Sequence, residues 1–263
     1  AFVAGKLRGP LASDRPREGE LPLPAELVAA KRRLVPEEIE RYRLLGAAAA
    51  AAMTEVLTAA KPDWTEQQLA GAGAEALWRR GIHPTLTLAA GARRLPVYRH
   101  PTPGPDPLGE RAMLVFCARR WGLYANLTRF VSFRAPTAEE ERLFADVAAV
   151  EAAAWDASTP GASLAGVYEV LRATYAGLGY AGEIDAHHQG GTTGYLSREV
   201  VARPHVGAVI ESDTALAWNP SLPGAKIEDT ILVSGGTIEI LTADPVWPAA
   251  PVAGRQRPLV YRA

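Results

Sequence analysis

A chain of 263 residues with 48% hydrophobic side chains has enough apolar surface for a sizeable core. Its 28 basic and 29 acidic residues leave a net charge of −1, which excludes the electrostatic footprint of a nucleic-acid binder or an anionic-membrane binder. One cysteine, Cys117, excludes an intrachain disulfide framework and a cysteine-rich zinc site; with no bilayer-length apolar run and no leader-like start, the expected setting is the reducing cytoplasm.

In chain order, residues 1–34 carry Pro10, Pro16, Pro22 and Pro24 and read as an N-terminal arm or the remnant of an interdomain linker, ahead of a catalytic-type domain over 35–263. Pro36 at a first helical position, with Glu37 and Glu38 in the first turn, predicts a long helix through the alanine run 47–52. Pro62 breaks it, and Thr65 with Gln68 forms a capping box for a second helix ending near Gly81. Strands are expected at 112–117 and 123–133. Thr137 with Glu140 caps a third helix to about Trp155, Pro160 interrupts, and Ser163 opens a fourth that ends around Gly177 to Gly179. Pro62 and Pro160 lie 98 positions apart, as do Thr65 and Ser163, so the helix pair recurs in register and implies an internal duplication. Further strands are expected at 215–219 and 226–233, joined by a turn over 220–224. The class is α+β, an antiparallel sheet backed by four helices.

The densest polar stretch is His187-His188-Gln189-Gly190-Gly191, followed by Tyr195 and Arg198. A neutral imidazole serves as general acid or base when its second nitrogen is oriented, and the glycines permit close backbone approach. The ordinary alternative is a tight strand-to-turn transition with one ring exposed. Glu228 sits among Ile227, Thr230 and Ile231 and needs a cation or a donor if it points inward; an ion pair with Lys226 is the plainer reading. Asn126 and Asn219 can present amide forks to a ligand, and Arg198 can hold a substrate carboxylate. His100 lies in a proline-rich loop. Cys117, in a strand, reads as buried packing.

Four segments resemble a known family. Residues 225–233 (AKIEDTILV) resemble a "V-R-I-E-D-T-V-L-V" strand, 216–220 (LAWNP) an "F-T-I-E-P" segment, 126–129 (NLTR) a "D-I-T-R" segment and 190–194 (GGTTG) a "G-H-G-I-G" segment. Their order is that of the family of methionine aminopeptidase, aminopeptidase P, prolidase and creatinase, and the likeness covers about 34–243. It implies a pita-bread fold, with pseudo-twofold duplicated helix pairs on a curved antiparallel sheet, and commonly a homodimer. Carried over position by position, the family's metal ligands fall on Val115, Asn126, Gly191, Asn219 and Glu228. Such a set implies no metal and no other cofactor. Creatinase resembles these proteins in fold yet works with a histidine in place of a metal. Its catalytic histidine corresponds to His100 within a one-residue slip, Arg99 standing at the expected offset, and His187 matches the family's extra substrate-facing histidine. The resemblance thus implies a metal-independent, creatinase-like hydrolase or lyase cleaving a C–N bond in a small polar substrate. His187, His188 and Glu228 would be catalytic; His100, Asn126, Gln189, Tyr195, Arg198 and Asn219 would bind substrate. The alternatives are an inactive pita-bread module that binds a peptide or protein, and an Xaa-Pro-type metallo-aminopeptidase or dipeptidase. Small molecules or short peptides are the expected partners, with no nucleic acid and no membrane.

Overall fold

The computed structural model describes residues 6, 9–14 and 16–263, so part of the expected arm lies outside the described residues. The rest of the arm is more structured than its prolines suggest. Strand β1 (Leu11–Ser13) pairs in parallel with β2 (Glu20–Pro22), and a short helix α1 (Ala25–Ala30) leads to Leu34, which is buried.

Helix α2 (Pro36–Ala59) starts as expected: the Glu38 carboxylate accepts the Val35 N–H at 2.9 Å. Tyr42, Leu45, Ala49, Met53 and Val56 recur at helical spacing on its buried face. Gly46 is required there, because a Cβ would stand 2.1 Å from the Leu241 carbonyl oxygen. Helix α3 (Glu66–Trp78) carries the full capping box, with Thr65 and Gln68 exchanging backbone-to-side-chain bonds of 2.7 and 3.1 Å. Strands β3 (His83–Gly91), β4 (Arg111–Arg120) and β5 (Leu123–Ser132) form an antiparallel meander. Its β4–β5 hairpin turns on Trp121 and Gly122, both at positive φ, as a tight two-residue turn requires. The pattern then repeats. Helices α4 (Ala138–Ala157) and α5 (Leu164–Gly177) are capped by Thr137 and Ser163, and a 3₁₀ turn (Ala181–Asp185) leads into β6 (Gly190–Thr193), β7 (Val200–Val201) and β8 (Thr214–Trp218). After these come β9 (Ser221–Leu222), β10 (Ala225–Lys226), β11 (Asp229–Ser234), β12 (Thr237–Ile240), β13 (Ala249–Val252), β14 (Arg255–Pro258) and β15 (Tyr261–Arg262).

One sheet has the order β15-β5-β4-β3 and the other β12-β11-β8-β6-β7. Helices α2 and α3 cover the first through Leu69, Leu77, Leu114, Phe116 and Leu127; α4 and α5 cover the second through Trp155, Leu171, Leu216, Trp218 and Ile231. The duplication is visible in detail: the N-caps Thr65 and Ser163 each bridge to a returning loop, at Pro107 and Val209. The sheets are tied by a β-bridge between Thr128 and Glu228, where the Thr128 N–H donates to the Glu228 carbonyl at 3.0 Å, and by the Thr230 hydroxyl, which accepts from the Asn126 N–H at 2.7 Å and donates to the Asn126 carbonyl at 2.9 Å.

That tie explains one departure from expectation. The strand expected at 226–233 is interrupted at Ile227 and Glu228, because residue 228 leaves its own sheet to pair with β5. The segment expected as a plain turn over 220–224 is the centre of a small hairpin, β9–β10, in which Ser221 faces Lys226. Beneath the tie lies a buried ionic lock. Arg129 donates to Asp229 at 2.7 Å and to the Thr242 carbonyl at 3.0 Å, Arg257 lies 2.8 Å from Asp229, and Arg257 also grips Glu151 of α4. Among the described residues no helix is long and apolar enough to cross a membrane.

Candidate functional site at the seam between the sheets

The tie between β5 and β11 gathers the chemistry. Glu228 is buried, and both of its carboxylate oxygens are engaged: one accepts from Arg198 at 2.6 Å, the other from the Thr128 hydroxyl at 3.0 Å. The plainer sequence expectation, a Lys226–Glu228 ion pair, is therefore replaced by an Arg198–Glu228 pair. Arg198 is held by this carboxylate and by the Ser197 carbonyl, so its two terminal nitrogens are directed at protein groups rather than left open for a substrate carboxylate. Its Nε is buried without a partner.

Lys226 is almost fully buried. Its ammonium donates to the Arg99 carbonyl at 3.3 Å and to His100 Nε2 at 3.4 Å, and it forms no ion pair among the described residues. Burial lowers it to about 8, an effect that the nearby Glu228 charge opposes. His100, His187 and His188 gather around this cation, with ring centroids 4.8 to 6.0 Å apart. Burial is the leading cause that holds their imidazoles neutral. Helped by Lys226 it lowers His187 to about 2 and His100 to about 3; helped by Arg198 it lowers His188 to about 4. His187 is fixed in one tautomer. A carbonyl only accepts, so His187 Nδ1–H donates to the His188 carbonyl at 2.6 Å and its Nε2 accepts from the Ser221 hydroxyl at 2.6 Å. His188 Nδ1 is buried and unpartnered.

The amides behave alike. Asn126 donates to the Thr193 hydroxyl at 3.2 Å while its Oδ1 has no partner, and Asn219, held through its backbone N–H by the Gln189 carbonyl, likewise leaves Oδ1 unpartnered. Two expected substrate-binding residues have their polar atoms taken up by protein groups. Tyr195 donates to Glu38 of α2 and packs over Gly122, so it belongs to the helix-to-sheet contact. Gln189 is wholly buried, accepting from Tyr175 at 3.0 Å and donating to the carbonyls of Ile184 and His187. It positions the histidine loop. Conversely, Cys117 was expected only as packing, yet it shares a face of the hairpin with its register partner Asn126. Burial and then the Glu228 charge push its thiol up to about 12. The β4–β5 spacing was the signal for it: a hairpin that brings Asn126 to the seam brings Cys117 beside it.

A family model described as metallopeptidase family M24 matches residues 40–235. The chain belongs to this family. Its fold is the pita-bread fold, shown by solved structures at low identity. An X-Pro aminopeptidase from Thermotoga maritima is 17% identical with a TM-score of 0.79, over 94% of this chain and 69% of that one. A prolidase from Pyrococcus horikoshii is 16% identical at 0.81, over 92% and 77%. A methionine aminopeptidase from Rickettsia prowazekii is 15% identical at 0.67, over 80% and 99%. No curated protein matches significantly.

The family name implies a metal, and the donor set of this M24 chain does not fit one. Among the described residues no group of three or more His, Cys, Asp and Glu side chains is arranged to hold an ion. Of the positions the resemblance assigns, Val115 packs with Leu88, Leu95, Met113 and Phe130 in an apolar cluster, and Asn126 and Asn219 are neutral. Gly191 has φ +149°, and a Cβ there would lie 2.0 Å from the Val200 carbonyl oxygen, so the backbone itself leaves no room for an imidazole. Glu228 remains, neutralised by Arg198.

Proposed function

We propose that this M24 chain is a hydrolase of amide bonds in short peptides that works without a metal pair. The observation carrying this reading is the Arg198–Glu228 pair at 2.6 Å: a guanidinium supplies the positive charge beside the seam carboxylate that a divalent cation would otherwise supply. Membership in a metallopeptidase family and structural likeness to Xaa-Pro peptidases support a peptide as substrate over the creatinase-like small polar substrate.

The unpartnered acceptors Asn126 Oδ1 and Asn219 Oδ1 are suited to the N–H groups of a peptide's terminal ammonium. His188 Nδ1, buried and unpartnered, is suited to a substrate hydrogen bond, and Lys226 with its short reach to His100 is the cation available to an acyl oxygen. The test is turnover of a dipeptide panel that includes Xaa-Pro members, by protein treated with a chelator and desalted. The expected result is hydrolysis unchanged by added manganese or zinc, and reduced at least about tenfold by Asn219→Leu, the loss of one well-placed contact. Turnover that appears only with metal would restore the metallopeptidase alternative. Peptide binding with no turnover in either state would make the protein a binding module.

A further inference from the structure

One short contact between side chains near the seam is not used by the hydrolase reading. Ser221 Oγ donates to His187 Nε2 at 2.6 Å, and His187 Nδ1–H is oriented by the His188 carbonyl at 2.6 Å. A hydroxyl, a neutral imidazole accepting its proton, and a third group fixing the tautomer are the parts of an activated serine nucleophile. A hydrogen bond alone would be ordinary packing, but the surroundings add to it. Ser221 is the cross-strand partner of Lys226 in β9–β10, and both line one small cavity of about 10 Å³, room for about one water, together with Arg99. Arg99 donates to Glu183 at 2.7 Å through a terminal nitrogen, while its Nε is buried and unpartnered. A nucleophile and two cations therefore line one space, and the base reaches it through its hydrogen bond to Ser221.

We propose that Ser221 and His187 form the nucleophile and base of an acyl-transfer site, with Lys226 and Arg99 facing the oxyanion. The proposal rests on the amide-hydrolase reading for its substrate and supplies that reading with a route. Ser221 Oγ bonds to the acyl carbon as its proton passes to His187 Nε2, and the carbonyl electron pair moves onto the oxygen facing Lys226, where the new negative charge offsets the burial and the Lys226 charge that keep this imidazole neutral at rest. The C–N bond then breaks, the amine leaving with the proton from His187. Water, deprotonated by the same imidazole, next attacks the seryl ester; the C–Oγ bond breaks, the imidazolium returns the proton to Ser221 Oγ and the acid is released. Gln189, which donates to the His187 carbonyl at 2.9 Å, is a positioning residue in this scheme.

Because Ser221 is buried, the probe is a small one, methanesulfonyl fluoride, which forms an S–O bond and releases fluoride. Intact-mass and peptide-mapping spectrometry are expected to find one sulfonyl group on Ser221 of the folded chain, lost in Ser221→Ala and slowed at least tenfold in His187→Gln. Circular dichroism melts show whether each variant is folded, and Ser221→Cys, with labelling by iodoacetamide in place of the sulfonyl fluoride, gives a second readout if Ser221→Ala is not. No adduct on folded protein that still hydrolyses peptides would overturn the serine route and leave the hydrolase reading standing. An adduct on another residue, or labelling that His187→Gln leaves unchanged, would overturn it too. Labelling of Ser221 in a protein that cleaves no peptide would keep the pair and remove the peptide substrate.

Discussion

Histidines at the seam are neutral because the fold pays a desolvation cost to keep them so, and this has a signed consequence for stability. The ordinary imidazole titrates near 6.5; His187 and His188 are held at about 2 and about 4. Below pH 6.5 the unfolded chain therefore takes up protons that the folded chain refuses, and each such histidine steepens the loss of stability by up to about 1.4 kcal/mol per pH unit. Stability is expected to be flat between about pH 6.5 and 8, where neither the histidines nor buried Lys226, held at about 8, titrate differently in the two states, and to fall from pH 6.5 toward pH 4, as followed by urea unfolding at fixed ionic strength. In His188→Gln the fall becomes shallower; an unchanged slope would mean that the ring is already solvated. His100 shifts in the same direction, and its exposure in the folded chain reduces its contribution. At this scale the sequence allowed the residue types to be picked out but not their partners. Arg198 was legible as a cation, whereas its engagement by Glu228 thirty positions away depends on β11 meeting β5. Gln189 and Tyr195 were chosen for their neighbours in sequence, and their polar atoms are taken up by Tyr175, Ile184 and His187 and by Glu38.

Elements whose ends are marked by capping chemistry were readable at nearly residue precision: Thr65, Thr137 and Ser163 each cap the helix they were expected to open. Strands were less so. β6 is Gly-Gly-Thr-Thr and is held by the β8 ladder rather than by any propensity of its own, and β13 and β14 contain prolines. The ionic lock under the seam shows why such weak strands stay in place. Arg257 of β14 reaches Glu151 of α4 and Asp229 of β11, its guanidinium resting 4.1 Å from the Trp155 ring centroid. Removing it leaves Glu151 buried without a cation and Asp229 with Arg129 alone. Arg257→Ala is expected to cost about 3–5 kcal/mol in chemical denaturation. A loss below about 1 kcal/mol would mean that water replaces the guanidinium. Arg257 lies outside every recognised segment, which is why the sequence did not reveal the lock.

For the whole molecule, duplication makes two sheets, each backed by a helix pair, and the contact between them is where distant motifs meet. The two peptidases compared above match 94% and 92% of this chain, which spans 69% and 77% of theirs. The family resemblance made the fold legible, and the residues at the ligand positions made its chemistry look unlike the family's name. Structure adds the physical reason: an apolar cluster at Val115, a backbone at Gly191 with no space for a side chain, and an arginine on Glu228. The most direct test of the account is metal content by inductively coupled plasma mass spectrometry, on protein incubated with manganese, cobalt or zinc and desalted. The account predicts near-zero stoichiometry for each ion. About two ions per chain would contradict it, and would require that Asn126, Gly191 and Asn219 do not occupy the positions assigned to them here.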